Sequence, residues 1–166
     1  PHQPKPTLQP ENNQPVTMEY YTGLYPGGCI EQEFSTERWI EIPEEVREIY
    51  KLWRPTPMVR AERFEKALGT DCKIYFKNEG VSPSGSHKTN SAIPQIYFAA
   101  RDGMKKVVTE TGAGQWGSAV AFAAQMYGLD CEVFMVRGPY NQKPSRRRMM
   151  NLWGAHVTPS PSEITE

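Results

Sequence analysis

Apolar residues recur at helical spacing in some stretches and in short strand-like runs in others, and the alternation is regular from residue 43 onward. Pro43 opens a helix with Glu44 and Glu45 in its first turn. Val46, Ile49, Tyr50 and Trp53 follow on one face, and Pro55 prevents continuation. From Cys72 the pattern changes. Lys73–Phe76 (KIYF) reads as a short strand, and Ala92, Ile93, Ile96, Tyr97 and Ala100 then mark a helical face closed by Gly103. Val107-Val108 begins the next strand, followed by Ala119, Phe122, Ala123 and Met126 on a second helical face. Cys131–Val136 (CEVFMV) is a further strand. Met149, Leu152 and Trp153 lie on a further helix with Gly154 placed to cap it, and Ala155–Thr158 is a candidate last strand.

Strand–helix alternation with links this short predicts parallel βαβ units. The expected fold class is α/β, a parallel twisted sheet with helices on both faces, incomplete at its carboxyl end, over residues 43–166. Residues 1–42 read as a proline-rich arm. Its first 16 residues are polar, and Tyr20–Phe34 mixes aromatics with a Pro26-Gly27-Gly28 turn signal. The arm is expected to be irregular and to dock on something larger. Pro94 conflicts with its helical surroundings, since an interior proline costs about 3 kcal/mol. A helix starting near Asn90 or Ser91 would place it harmlessly in the first turn. Thr158-Pro-Ser-Pro-Ser162-Glu163 reads as a turn and the start of a helix that stops at Glu166. The chain is therefore expected to be a fragment, or one piece of a split protein.

Composition narrows the function classes. The 166 residues carry nineteen basic and nineteen acidic side chains, so bulk charge gives no attraction to nucleic acid or membranes. Arg146-Arg147-Arg148 is the one basic cluster and reads as a solvated helix face. Cys29, Cys72 and Cys131 form no Cys-x-x-Cys and share no metal-ligand spacing with His2, His87 and His156. No metal site is expected. Cys72 and Cys131 each open an apolar run, as buried thiols of a reducing compartment do. No apolar run approaches the length of a membrane span, and the expected location is cytoplasmic.

Two loops follow the carboxyl ends of strands, where open α/β sheets bind ligands. The first, Asn78–Asn90 (NEGVSPSGSHKTN), brings Lys88 to the start of a helix. A helix N-terminus disfavours an ammonium ion and favours phosphate nearby, and a neutral amine there can trap an aldehyde cofactor. An ordinary surface lysine is the plain alternative. A P-loop is excluded by the two residues, Ser86 and His87, between Gly85 and Lys88. The second loop, Thr109–Gly117 (TETGAGQWG), contains Gly112, Gly114 and Gly117 in a G-x-G-x-x-G pattern. An NAD(P)-dependent oxidoreductase is thus a competing reading, with Arg137 as a 2′-phosphate partner. Glu110 argues against it, because a carboxylate beside a pyrophosphate is repulsive. The loop suits a small carboxylate better, with backbone N–H groups forming an anion nest and Thr111 and Gln115 adding donors. In an enclosed site Glu110 could serve as general acid and base.

Gly85-Ser-His-Lys-Thr-Asn90 followed by Thr109-Glu-Thr-Gly-Ala-Gly-Gln115 resembles the tryptophan synthase β family of fold-type II pyridoxal-phosphate (PLP) enzymes. The resemblance runs from about Glu33 to the end and includes Trp53-Arg-Pro-Thr-Pro57, Lys77-Asn-Glu-Gly80, Gln142-Lys-Pro144 and Leu152-Trp-Gly-Ala155. It implies that Lys88 holds pyridoxal 5′-phosphate as a Schiff base and shuttles the α-proton. His87 would lie against the cofactor phosphate, and Asn90 would approach the ring hydroxyl. Glu110 would assist loss of the serine hydroxyl and handle the indole proton, while Thr111, Gly112, Ala113, Gly114 and Gln115 hold the amino-acid carboxylate. The implied reaction is β-replacement of L-serine with indole to give L-tryptophan, in a full-length homodimer. A fold-type II enzyme that eliminates from serine or threonine is the near alternative. Trp116, standing where the usual β chain has histidine, and the long arm resemble the second, less common class of β chain, which leaves association with an α subunit open. The family's glycine-rich phosphate loop and the residue facing the pyridine nitrogen belong to its later half, outside this chain, so the resemblance implies an amino-terminal portion that is inactive on its own.

Overall fold

The computed structural model describes residues 5–165. Strands β3 (Lys106–Thr111), β4 (Asp130–Val136) and β5 (His156–Ser160) form a parallel sheet in that order. Val107 pairs with Cys131, Thr109 with Val133, Thr111 with Met135, and Val133 with Val157. Because side chains alternate along a strand, this register gathers Cys131, Val133, Met135 and Val157 on one buried face. The parallel α/β class is as the alternation required.

Helix α6 (Gln115–Tyr127) lies on that face together with α8 (Pro144–Leu152). Every residue of α6 from Gly117 to Ala124 is buried, because the sheet covers one side and α5 (Lys88–Arg101) the other. Gly117 makes the close approach possible. A Cβ there would lie 2.7 Å from Val133 Cγ1 and 2.9 Å from both Met150 Sδ and Thr111 Cγ2. On the opposite face of the sheet Val108 is 59% exposed. Burial pushes the Cys131 thiol up to about 11, so it packs as an inert apolar group.

Helix α5 enters β3 and α6 leaves it, so the two helices run the same way. Tyr97 and Tyr127, toward their carboxyl ends, have ring centroids 5.8 Å apart. Trp53 follows α3 (Glu44–Tyr50) and reaches the first turn of α5 and the middle of α6: its Nε1 donates to Asn90 Oδ1 at 3.1 Å and its ring is 6.1 Å from that of Phe122. Both helices run back from the carboxyl end of β3, and Arg146 touches the loops that open them: its Nη1 donates to Ser84 O at 2.9 Å and its Cβ lies 3.1 Å from the position of a Gly114 Cβ.

Several expectations are corrected. KIYF does not join the parallel sheet. Its carboxyl part is β2 (Tyr75–Lys77), which pairs antiparallel with β1 (Met58–Arg60) in a separate sheet. Glu65 of α4 (Glu62–Leu68), which lies between the two strands in sequence, anchors the pair, accepting from Arg60 Nη2 at 2.9 Å and Ile74 N at 2.7 Å. Both bonds hold its carboxyl below the ordinary range. The arm is not irregular throughout: it contains α1 (Met18–Tyr21) and α2 (Gly27–Phe34), and Leu8 bridges Pro15. It docks on α5, where Gly27 N–H donates to Asp102 Oδ2 at 2.6 Å. Residues 1–4 of the arm, with His2, lie outside the described residues. Cys72 is exposed, since it sits in the turn before β2 and not in the strand. Ser162–Thr165 closes a tight turn, with Ser162 N donating to Thr165 O at 3.0 Å, and no helix starts among the described residues there. After β4 the chain enters α7 (Arg137–Gln142), which was not anticipated.

Pro94 is the most informative correction. Helix α5 starts at Lys88, so Pro94 stands in its interior and cannot donate to the carbonyl of Asn90. The phenol of Tyr50 takes that place, donating to Asn90 O at 2.5 Å. Tyr50→Phe should therefore cost about 1–3 kcal/mol, the scale for an orphaned carbonyl. In a Pro94→Ala background, where residue 94 regains its N–H, the same change should cost clearly less. Urea unfolding of the four proteins in full-length form measures the coupling; equal costs in both backgrounds would refute this account of Pro94.

Candidate active site

Lys88 is the first residue of α5 and is half-buried, with His87 exposed just before it. The preceding loop is held by its own hydroxyls. Ser84 Oγ and Thr89 Oγ1 lie 2.6 Å apart, Ser82 Oγ donates to Ser86 O at 2.6 Å, and Ser82 Oγ accepts from Ser86 N at 3.0 Å. Ser82, Ser84, Ser86 and Thr89 are all buried. Lys88 N–H itself donates to Ser86 Oγ at 3.3 Å. These bonds fix the backbone on both sides of Lys88. Among the described residues no carboxylate pairs with Lys88.

The third residue of the helix is held from outside. Asn90 Nδ2 donates to Glu79 Oε2 at 3.0 Å, and Thr56 Oγ1 donates to Glu79 Oε1 at 2.8 Å. With Trp53 donating to Oδ1, the Asn90 amide faces α3 and the 3₁₀ turn Glu79–Val81. The Asn90 oxygen and one N–H are bonded to Trp53 and Glu79 and anchor the first turn of α5, and its second N–H has no partner among these contacts.

The second loop is shaped by helix capping. Thr111 is the last residue of β3 and fully buried, and its Oγ1 accepts from Gly117 N at 3.1 Å. Gly114 has φ +92°, a left-handed conformation that favours glycine, and its carbonyl accepts from Ser118 Oγ at 2.6 Å. Trp116 Nε1 donates to Thr109 Oγ1 at 2.8 Å, which pins the first turn of α6 to β3. Gly112 and Ala113 are exposed and Gln115 is half-buried, so this backbone is presented at the mouth of α6. Glu110 precedes Thr111 on β3 and is exposed; the described residues do not supply the enclosure expected around it. Arg137 Nε donates to Pro161 O at 2.6 Å.

Arg146 was read as part of a solvated face and is not. Its Nη1 donates to Ser84 O at 2.9 Å, and its Cβ lies 3.1 Å from where a Gly114 Cβ would stand. One side chain thus touches both loops. Nothing in the Arg-Arg-Arg run distinguishes it from Arg147, whose guanidinium lies over the Tyr140 ring at 4.6 Å.

Residues 49–166 match the family model described as pyridoxal-phosphate dependent enzyme. The chain belongs to this PLP-dependent family. Its relatives include the tryptophan synthase beta chain 2 of Aquifex aeolicus, 53% identical over 97% of this chain, and that of Thermotoga maritima, 54% identical over 96%. The tryptophan synthase beta chain of Pyrobaculum islandicum is 57% identical over 87%. The chain spans 37%, 38% and 35% of these three relatives' lengths, respectively. Among solved structures, an O-ureido-L-serine synthase with O-ureido-L-serine bound superposes with a TM-score of 0.55 at 24% identity, covering 64% of this chain and 32% of that one, a likeness of fold. No helix among the described residues is long and apolar enough to cross a membrane.

For a PLP family the residues present fit one side of the cofactor. A lysine amine stands at the mouth of a 14-residue helix whose first N–H groups favour an anion, beside an exposed histidine. The network behind it is pH-dependent. The Thr56 hydroxyl, then the Asn90 amide and the nearby Arg54 and Lys77 charges, hold the Glu79 carboxyl below its ordinary value. Its stabilising bonds are complete above the ordinary carboxylate range of about 4 and are lost as pH falls through the lowered value. The stability gap between the parent and Glu79→Gln should be widest near neutral pH and close toward about pH 3. A gap independent of pH in urea titrations would refute the ionised network.

Proposed function

We propose that this chain is the lysine-bearing part of a tryptophan synthase β-like enzyme that joins L-serine and indole to give L-tryptophan. The observation that carries the reading is the run of about half-identical positions shared with tryptophan synthase beta chains along nearly the whole chain. The geometry supports it by bringing the Lys88 loop and the Gly112–Gln115 loop to one end of the sheet.

PLP, when bound, supplies an electron sink for the bonds broken at the α and β carbons of the amino acid. Lys88 is the residue to hold it, and the Lys88 amine is the base to carry the α-proton. The exposed His87 and the N–H groups opening α5 favour the phosphate. The backbone N–H groups of Gly112, Ala113, Gly114 and Gln115 hold the substrate carboxylate, and the hydroxyl proton of Thr111 remains available beside them, since its oxygen already accepts from Gly117. Glu110 delivers a proton to the departing serine hydroxyl and takes the proton released by indole. Trp116 is bonded to Thr109 and keeps α6 seated under this loop. A homodimer in the cytoplasm completes the proposal.

In the full-length protein, Glu110→Gln should still bind PLP but lower serine-dependent turnover by about 10²-fold or more, the scale of acid–base catalysis. Steady-state assay of tryptophan formation measures it. Turnover within about threefold of the parent, well short of that scale, would remove Glu110 from the mechanism.

A further inference from the structure

We propose that Arg146 is a positioning residue that sets the separation between the lysine loop and the carboxylate-binding loop. The inference rests on the functional reading above. It comes from three observations. Arg146 Nη1 donates to the carbonyl of Ser84 across 62 residues of sequence. Ser84 in turn shares a 2.6 Å hydroxyl contact with Thr89, the residue after Lys88, so the guanidinium is two bonds of a network away from the lysine backbone. The stem of the same side chain, Cβ and Cγ, lies 3.1 and 3.4 Å from the position of a Gly114 Cβ, directly under the left-handed turn that presents the N–H groups of the second loop.

Arg146 sits in the first turn of α8, and α8 is seated on the sheet by Met150, which is fully buried against Gly117. The clamp is therefore referenced to the core. Its head holds one loop by a charge-assisted bond and its stem floors the other. Among the described residues no carboxylate neutralises this half-buried guanidinium, so its charge also favours an anion at the mouth between the loops. A lost clamp would let the carboxylate loop drift relative to Lys88, which weakens substrate seating more than it slows the proton transfers.

The test uses full-length holoenzyme and apo-protein with Arg146→Met, which keeps the stem and loses the head, and Arg146→Lys, which keeps the charge and a donor. Arg146→Met should raise KM for L-serine about tenfold or more while kcat falls by a smaller factor. It should also weaken the affinity of the apo-protein for PLP, read by quenching of tryptophan fluorescence. Arg146→Lys should recover most of both losses. An unchanged KM and PLP affinity in Arg146→Met overturns the proposal. So does a fall in kcat without a rise in KM, or an Arg146→Lys variant no better than Arg146→Met. If Arg146→Met does not fold, Arg146→Gln takes its place: a raised KM for L-serine and weakened PLP affinity support the clamp, and both equal to the parent's overturn it. If the parent itself binds no PLP, the functional reading falls, and the clamp falls only as its consequence.

Discussion

The absence of a side chain at Gly117 lets α6 lie directly on the sheet, and the site is built outward from that contact. With Val133, Met150 and Thr111 all within 2.9 Å of a hypothetical Cβ, no larger residue fits without moving the sheet, α8 or the end of β3. The same contact seats the Gly117 N–H on Thr111 Oγ1, so the close packing and the capping of α6 are one arrangement. Once α6 is fixed, α5 has a buried surface to pack on, α8 has a neighbour, and the two helix mouths are brought to the carboxyl end of β3. Function at that end depends on packing decided several residues away.

The first turn of α5 shows how a local defect becomes a positioning device. Pro94 leaves Asn90 O without its helical partner, and Tyr50 supplies one from α3. Trp53 and Glu79 then hold the Asn90 side chain. The turn that begins with Lys88 is therefore gripped from its rear by three side chains of two segments, while Ser82, Ser84 and Ser86 hold the loop in front. A lysine that must meet a cofactor aldehyde at a fixed place benefits from a backbone held on both sides. The cost is a buried polar cluster in which each group depends on its partners.

Much of this was legible in the sequence. The βαβ alternation after residue 100 follows from apolar spacing alone, and α6 and β4 stand where Ala119–Met126 and Cys131–Val136 placed them. The motifs around Lys88 and Glu110 identified the family, which the match over residues 49–166 bears out. What sequence missed is long-range. Nothing local tells KIYF to pair with Met58–Arg60 rather than with the parallel sheet, because a three-residue strand carries no directional signal. The direction of the Asn90 amide is set by Trp53 and Glu79, at separations of 37 and 11 residues. Arg146 is hidden in a run of three arginines whose individual contacts only the packed structure separates. Pro94 was a visible signal misread: an interior proline asks for an outside donor, and Tyr50 was already on the buried face of the preceding helix.

Everything proposed for the site depends on Lys88 being the lysine that meets the cofactor. Incubating the full-length protein with PLP, reducing it with borohydride and mapping its peptides locates that lysine directly. The expected result is one stoichiometric adduct on the peptide containing Lys88, absent from Lys88→Ala. An adduct spread over several lysines, or one that persists on another lysine in Lys88→Ala, would contradict the assignment.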